Sequence, residues 1–192
     1  MITLYHSPQS RSDMIVDLVR LLGAEIEIRE VTIVRQDGSG APDPDNPHPE
    51  KKVPYLVDGN DYVRERGAIV LYLTDAYPEA KLGPTVGENG RGAYLSWLSW
   101  YQGVMEPLLI LKWAGVSHPA IESGLRDEAT MLERLVKPLR AGPWLLGERF
   151  SAADMLCASP FQWFKDLQPA EPLIREWVER CAVRIKAGQP SE

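Results

Sequence analysis

The sequence predicts an α/β N-terminal region followed by an all-helical C-terminal region, and three observations carry that reading. The first 77 residues run through strand-like and helix-like periods in the order β-α-β, then β-β-α. The last 105 or so carry helical stripes only, and all six tryptophans lie there. Between the two, "PEAKLGPTVGENG" (78–90) has the proline and glycine content of a linker. The expected boundaries are therefore 1–77, a linker over 78–90, and a helical domain over 91–192.

"ITLYH" (2–6) is a short strand. "RSDMIVDLVRLLG" follows with Ile15, Leu18, Val19 and Leu22 at helical spacing and Gly23 as its stop. "EIEIREVTI" sets Ile26, Ile28 and Val31 or Ile33 against charges, the pattern of a half-buried strand. Residues 35–50 carry Pro42, Pro44, Pro47 and Pro49, which predicts a mobile loop and no long helix. "VPYLV", "DGN" and "DYVR" form an antiparallel hairpin. "ERGAIVLYLTDAY" closes this region as a helix with Ile69, Tyr72, Leu73 and Ala76 on one face. Within the C-terminal region, a first stripe runs Tyr94, Trp97, Leu98, Tyr101, Met105, Leu108, with a bend expected near Pro107. Another runs Ile121, Leu125, Leu132, Leu135, Leu139, and a third Ile174, Trp177, Val178, Cys181, Ile185.

The net charge is −6 and no block of Lys or Arg occurs, which argues against nucleic acid or an anionic membrane as partner. No apolar run reaches the roughly 20 residues that cross a bilayer. "MITLYHSPQS" lacks the pattern of a secretory signal. Cys157 and Cys181 show no metal or CxxC spacing and read as buried thiols in a reducing compartment. The expected location is the cytoplasm, without a metal. His6, His48 and His118 have no partner spacing and read as incidental.

Four stretches carry chemistry. In "KKVPYLVDG" Pro54 heads a strand where it cannot donate to a ladder, which leaves backbone beside it for another use. In "RERGAI" Glu65 and Arg66 stand at a helix start, where amides and dipole favour an anion. An extended peptide could pair with Val53 and direct its amino-carboxylate end at these two. In "HSPQSRS" Ser10 and Ser12 flank Arg11 at the head of the first helix, where the plain reading is capping and the sharper one is support of a neighbouring thiolate. In "GERFSAADML" Ser151 and Asp154 make a capping box, with Phe150 and Met155 placed as a hydrophobic staple.

With these in place the chain resembles a cytosolic glutathione transferase over essentially its whole length. "NPHPEKKVPYLVDG" resembles the family's approach to its cis-proline loop, "RERGAIVLYL" its Glu-Ser-x-Ala-Ile helix start, and "LLGERFSAADML" its C-domain capping box. The resemblance implies a thioredoxin-like N-terminal domain, glutathione as co-substrate, a homodimer, and conjugation of glutathione to small hydrophobic electrophiles. The alternatives are a non-catalytic binding or regulatory protein and a glutathione-dependent reductase or peroxidase. It implies a glutathione-binding set of Lys52, Val53, Pro54, Glu65 and Arg66, with Pro54 cis, Val53 pairing with the cysteinyl moiety and Glu65 with the γ-glutamyl amino group. Arg66 departs from the family's Ser or Thr. For the thiol-activating group, counting from the strand lands on Arg11 and counting back from the helix lands near Gln9; Ser10 between them is the first choice and Ser12 the second. No cysteine is available there, which disfavours mixed-disulfide chemistry. Tyr5 belongs to the strand. Tyr101, Met105 and Trp113 are the expected walls of the electrophile pocket.

Overall fold

The computed structural model describes residues 1–188. The chain divides into two compact units, Met1–Ala80 and Lys81–Glu192. Residues 78–80, expected inside the linker, form a 3₁₀ turn that belongs to the first unit. The last four residues of the expected helical domain lie outside the described residues.

The first unit holds β1 (Ile2–His6), α1 (Asp13–Leu22), β2 (Glu27–Glu30), β3 (Tyr55–Asp58), β4 (Asp61–Val63) and α2 (Arg66–Ala76). The sheet order is β2-β1-β3-β4. β1 and β2 are parallel, which requires the crossover that α1 supplies, and the other two pairs are antiparallel. Alternation along the strands makes two different faces. Leu4 and Leu56, partners across β1 and β3, are wholly buried, as are Ile15 and Leu18 of α1 and Ile69 and Leu73 of α2. Each such side chain stabilises the fold by about 1.5–3 kcal/mol. The other face carries Tyr5, Val31 and Tyr55, with Val53 and Val57 packed on them.

Two expectations are corrected here, and a third gains detail. Ile28 is 41% exposed, because β2 is an edge strand and only Val31 beyond its end is buried. On α2 the buried face is Ile69, Val70, Leu73 and Thr74, while Ala76 faces solvent. The proline-rich loop has no helix, as expected, but it has fixed partners. Asp43 accepts the amides of Thr32 and Asp45, and buried Asn46 donates to the Lys52 carbonyl and accepts the His48 amide. Short polar side chains have taken over backbone groups that no ladder satisfies.

The second unit contains α3 (Arg91–Trp100), a π-helical turn over Tyr101–Met105, α4 (Glu106–Trp113), α5 (Pro119–Leu125), α6 (Glu128–Leu139), α7 (Ala152–Trp163) and α8 (Pro172–Ala187). Pro107 cannot donate a helical hydrogen bond, and the turn ahead of it closes instead through Glu106 N–H to the Tyr101 carbonyl. This wider turn advances the buried stripe by one residue, so Leu109 takes the place expected of Leu108. The second predicted stripe is broken at Arg126, which has φ +68°, and Asp127 caps a new helix buried through Met131, Leu135, Val136 and Leu139. The α8 stripe Ile174, Trp177, Val178, Cys181 is buried. The Ser151–Asp154 capping box is present on α7, and Phe150 sets its ring edge-on to Trp144 at 4.8 Å. Among the described residues no helix is long and apolar enough to cross a membrane.

Candidate functional site

Sheet register brings the chemistry-bearing stretches of the first unit to one end. Tyr5 of β1 pairs with Tyr55 of β3, so His6 and Pro54 adjoin that pair. Leu56 of β3 pairs with Val63 of β4, and the chain passes from there to Glu65 and α2. Three non-glycine residues with positive φ stand at this end: Gln9 at +57°, Lys51 at +55° and Glu65 at +67°. Such conformations cost roughly 1–3 kcal/mol each and persist where surrounding structure enforces them. At Gln9 the enforcing group is Arg35, whose guanidinium donates to the carbonyls of Pro8 (2.7 Å) and Gln9 (2.9 Å).

The Val53–Pro54 peptide is cis. Among the described residues neither the N–H nor the C=O of Val53 makes a hydrogen bond, while its side chain packs on the Tyr5–Val31–Tyr55 cluster. Lys52 contributes differently: Asn46 occupies its carbonyl at 3.1 Å, and its ammonium pairs in solvent with Glu50 at 3.2 Å. Pro54 is buried and Glu65 is exposed. Arg66 is only 6% exposed, so its guanidinium presents little surface to a ligand. The first hydrogen bond of α2 is Ile69 N–H to the Glu65 carbonyl, which leaves the amides of Gly67 and Ala68 ahead of it without a bond inside the helix.

The β1–α1 loop holds the densest polar contacts of the unit. Ser12 is the N-cap residue of α1, yet its hydroxyl makes no cap bond to the helix. It turns inward: it lies 2.7 Å from His6 Nδ1 and 2.7 Å from Ser10 Oγ, accepts the Ser7 amide at 3.1 Å, and is placed to donate to the Ser7 carbonyl at 3.2 Å. Ser10 Oγ in turn accepts the Ser12 amide at 3.1 Å. Ser12 is wholly buried, Ser10 half-buried and Arg11 exposed. A hydroxyl without surface cannot touch a ligand, so Ser12 supports the loop and Ser10 is the one of the two serines that reaches the surface. Neither serine caps α1 with its side chain; Ser10 accepts the Ser12 amide in a local turn ahead of the helix.

Histidine is where sequence spacing misled. None of the three is incidental: His6 meets Ser12, His48 accepts the Glu50 amide and sets its ring edge-on to Tyr55, and His118 accepts the Ala120 amide at the head of α5. His6 Nδ1 also lies 3.8 Å from Asp13 Oδ1. Burial lowers the His6 pKa below its ordinary 6.5, opposed by the charges of Asp13 and Glu30. Arg35 and Asn46 were equally invisible, since each acts across a loop with no period.

In the second unit Tyr101 and Met105 are wholly buried, which makes them core of the helical unit and not pocket walls. Trp113 alone of the predicted trio presents surface, at 59% exposure. Cys157 and Cys181 are buried thiols outside any disulfide, and burial pushes the Cys181 thiol strongly up. Among the described residues no cluster of three His, Cys, Asp or Glu is placed to hold a metal ion.

Residues 4–81 match the family described as "Glutathione S-transferase, N-terminal domain", and residues 102–184 the family described as "Glutathione S-transferase, C-terminal domain". The disulfide-bond oxidoreductase YfcG of Escherichia coli (strain K12) is 29% identical over 98% of this chain and 94% of its own length. A glutathione transferase from Methylococcus capsulatus strain Bath matches 98% of each chain with a TM-score of 0.75 and 28% identity. A glutathione S-transferase from Actinobacillus pleuropneumoniae gives a TM-score of 0.77 at 24% identity, over 97% of this chain and 92% of that one.

Proposed function

This chain belongs to the glutathione S-transferase family, and from that membership we propose that it generates a glutathione thiolate and transfers it to small hydrophobic electrophiles. The observation that carries the reading is the Ser10 hydroxyl at the sheet end that also holds the unpaired Val53 backbone. In this reading Val53 pairs with the cysteinyl moiety of glutathione as an added strand would. Glu65 takes the γ-glutamyl ammonium, and the amides at the head of α2 take its carboxylate, the backbone of Arg66 serving where the family also has a hydroxyl. Lys52 supplies positive charge at the margin.

Ser10 donates to the sulfur. A thiol of ordinary pKa near 8.5 is a few per cent thiolate at neutral pH, and each unit of lowering is worth about 1.4 kcal/mol. The thiol proton leaves to solvent, the sulfur forms a C–S bond to the electrophilic carbon, and the leaving group departs with its electron pair. The chain acts as a homodimer, which light scattering tests directly.

A second reading, disulfide reduction, is favoured by the 29% identical oxidoreductase. The buried cysteines supply no redox thiol, so both electrons come from glutathione. One thiolate attacks a disulfide and releases a thiolate; a second glutathione attacks the mixed disulfide, giving oxidised glutathione and the second thiolate. Rates of thioether formation from 1-chloro-2,4-dinitrobenzene, set beside rates of oxidised glutathione formation from hydroxyethyl disulfide, separate the two. Transferase activity requires the first to dominate. Dominance of the second replaces it, and glutathione binding with neither turnover makes the chain a binding protein.

A further inference from the structure

The hydrogen bonds around Ser12 can be counted, and the count turns on His6. A serine hydroxyl has one proton to give and two lone pairs to offer. One lone pair of Ser12 accepts the Ser7 amide, and one lone pair of Ser10 accepts the Ser12 amide. The two 2.7 Å contacts, His6 Nδ1 to Ser12 Oγ and Ser12 Oγ to Ser10 Oγ, each need a proton between the heavy atoms.

Ser12 Oγ is also placed to donate to the Ser7 carbonyl, but at 3.2 Å that contact is longer than the two at 2.7 Å, neither of which can stand without a proton. The single Ser12 proton therefore goes to one of the shorter contacts, and two arrangements remain. If His6 Nδ1 is bare, Ser12 gives its proton to His6, and Ser10 must give its own to Ser12. The Ser10 donor is then spent inside the loop. If His6 carries its proton on Nδ1, that proton fills the second lone pair of Ser12, and Ser10 can no longer donate to it. Ser12 then donates to Ser10, both lone pairs of Ser10 are filled, and the only capacity left to Ser10 is its proton, which turns outward.

A second observation chooses between them. Asp13 Oδ1 is buried and makes no hydrogen bond among the described residues, and it lies 3.8 Å from His6 Nδ1. A carboxylate at that distance favours a proton on the nitrogen facing it.

We propose that His6 is a positioning residue for thiolate formation: with its proton on Nδ1, held there by Asp13, it fixes the Ser12 and Ser10 hydroxyls in series so that Ser10 donates to the glutathione sulfur. This deepens the reading of glutathione as co-substrate and rests on it. The charges facing His6 are Asp13 and Arg20 on α1 and Glu30 on β2. Protonation of His6 in acid leaves Nδ1 a donor, so acid does not reverse the arrangement.

Two measurements test it. The ¹⁵N shifts of the His6 imidazole in the unliganded wild-type protein report the tautomer, and a protonated Nδ1 is expected; Asp13→Asn should move the population toward a bare Nδ1. The pKa of bound glutathione, read from thiolate ultraviolet absorbance, should rise by about one unit in His6→Ala, a loss of thiolate of up to about tenfold at pH below the wild-type value. Its dissociation constant by calorimetry should stay unchanged in acid, where the bound thiol is protonated in both proteins, and weaken only as pH rises through the wild-type thiol pKa. His6→Asn, which retains a side-chain N–H, should recover some of the shift. A bare Nδ1 in wild type, or equal bound-thiol pKa values in wild type and His6→Ala, overturns the role of His6 while leaving the glutathione reading intact. Wild type that fails to bind glutathione at millimolar concentration overturns both.

Discussion

Two serines stand at helix starts in this molecule, and their surroundings differ in one respect that separates folding from chemistry. At α7, Asp154 accepts the amides of Leu145 and Ser151, the Ser151 hydroxyl and the Trp177 indole N–H, all of them buried contacts. Nothing there opens outward. At α1, Ser12 is just as deeply buried, but its chain of contacts ends on half-buried Ser10. A closed network stabilises; a network open at one end can also hold a donor ready for something outside the chain.

Breaking the closed network should have the largest effect. Asp154→Ala leaves three buried N–H groups without an acceptor, each worth about 1–3 kcal/mol. Urea unfolding should show a loss of at least about 3 kcal/mol, with the specific activity of the folded fraction unchanged. A loss of activity at unaltered stability would erase the contrast. Ser10→Ala should do the reverse: a fall of about 100-fold in kcat/KM for the thiolate reaction, with stability changed by no more than about 1 kcal/mol.

Smaller effects sharpen the same contrast. Arg35→Ala releases the carbonyls of Pro8 and Gln9, so KM for glutathione should rise about fivefold, equivalent to about 1 kcal/mol, with kcat little altered. The smallest effect is in pH. Burial lowers His6 below 6.5, so above that pH the native and unfolded chains are equally unprotonated at this site and its stability contribution is complete. It is lost as pH falls through 6.5 toward the lowered native value, where the unfolded chain binds the proton first. His48, also lowered by burial, acts in the same direction. Thermal melts of His6→Asn should therefore show a shallower acid slope than wild type, though not a flat one.

What could be read from sequence was whatever repeats. β1, α1, the β3–β4 hairpin and the α8 stripe follow from periods of two and 3.6, and the α7 capping box from a fixed spacing of three. Pro54, Glu65 and Ser10 stood out because proline in a strand and polar residues at helix starts break a local rule. The relation of His6 to Ser12 breaks none. The two lie six positions apart across an aperiodic loop, whose carbonyls at Pro8 and Gln9 are held by Arg35, and the ring meets the hydroxyl only once that loop has folded. Leu108 failed for a related reason: a helical period carries no warning of a π-helical turn. Arg66 was placed correctly in the chain, but its burial depends on the packing of α2, which spacing does not encode.

The confinement of all six tryptophans to the second unit has a practical side. Excited at the red edge of indole absorption, the protein emits from the helical unit alone, since the first unit holds tyrosine and no tryptophan. Indole emission and far-ultraviolet dichroism therefore watch different portions of the chain during denaturation. Coincident midpoints would mean that the two units come apart in a single step, and separated midpoints would time the sheet unit by difference. Glutathione added to such an experiment becomes its own probe: a ligand held by the first unit should delay the dichroism transition first.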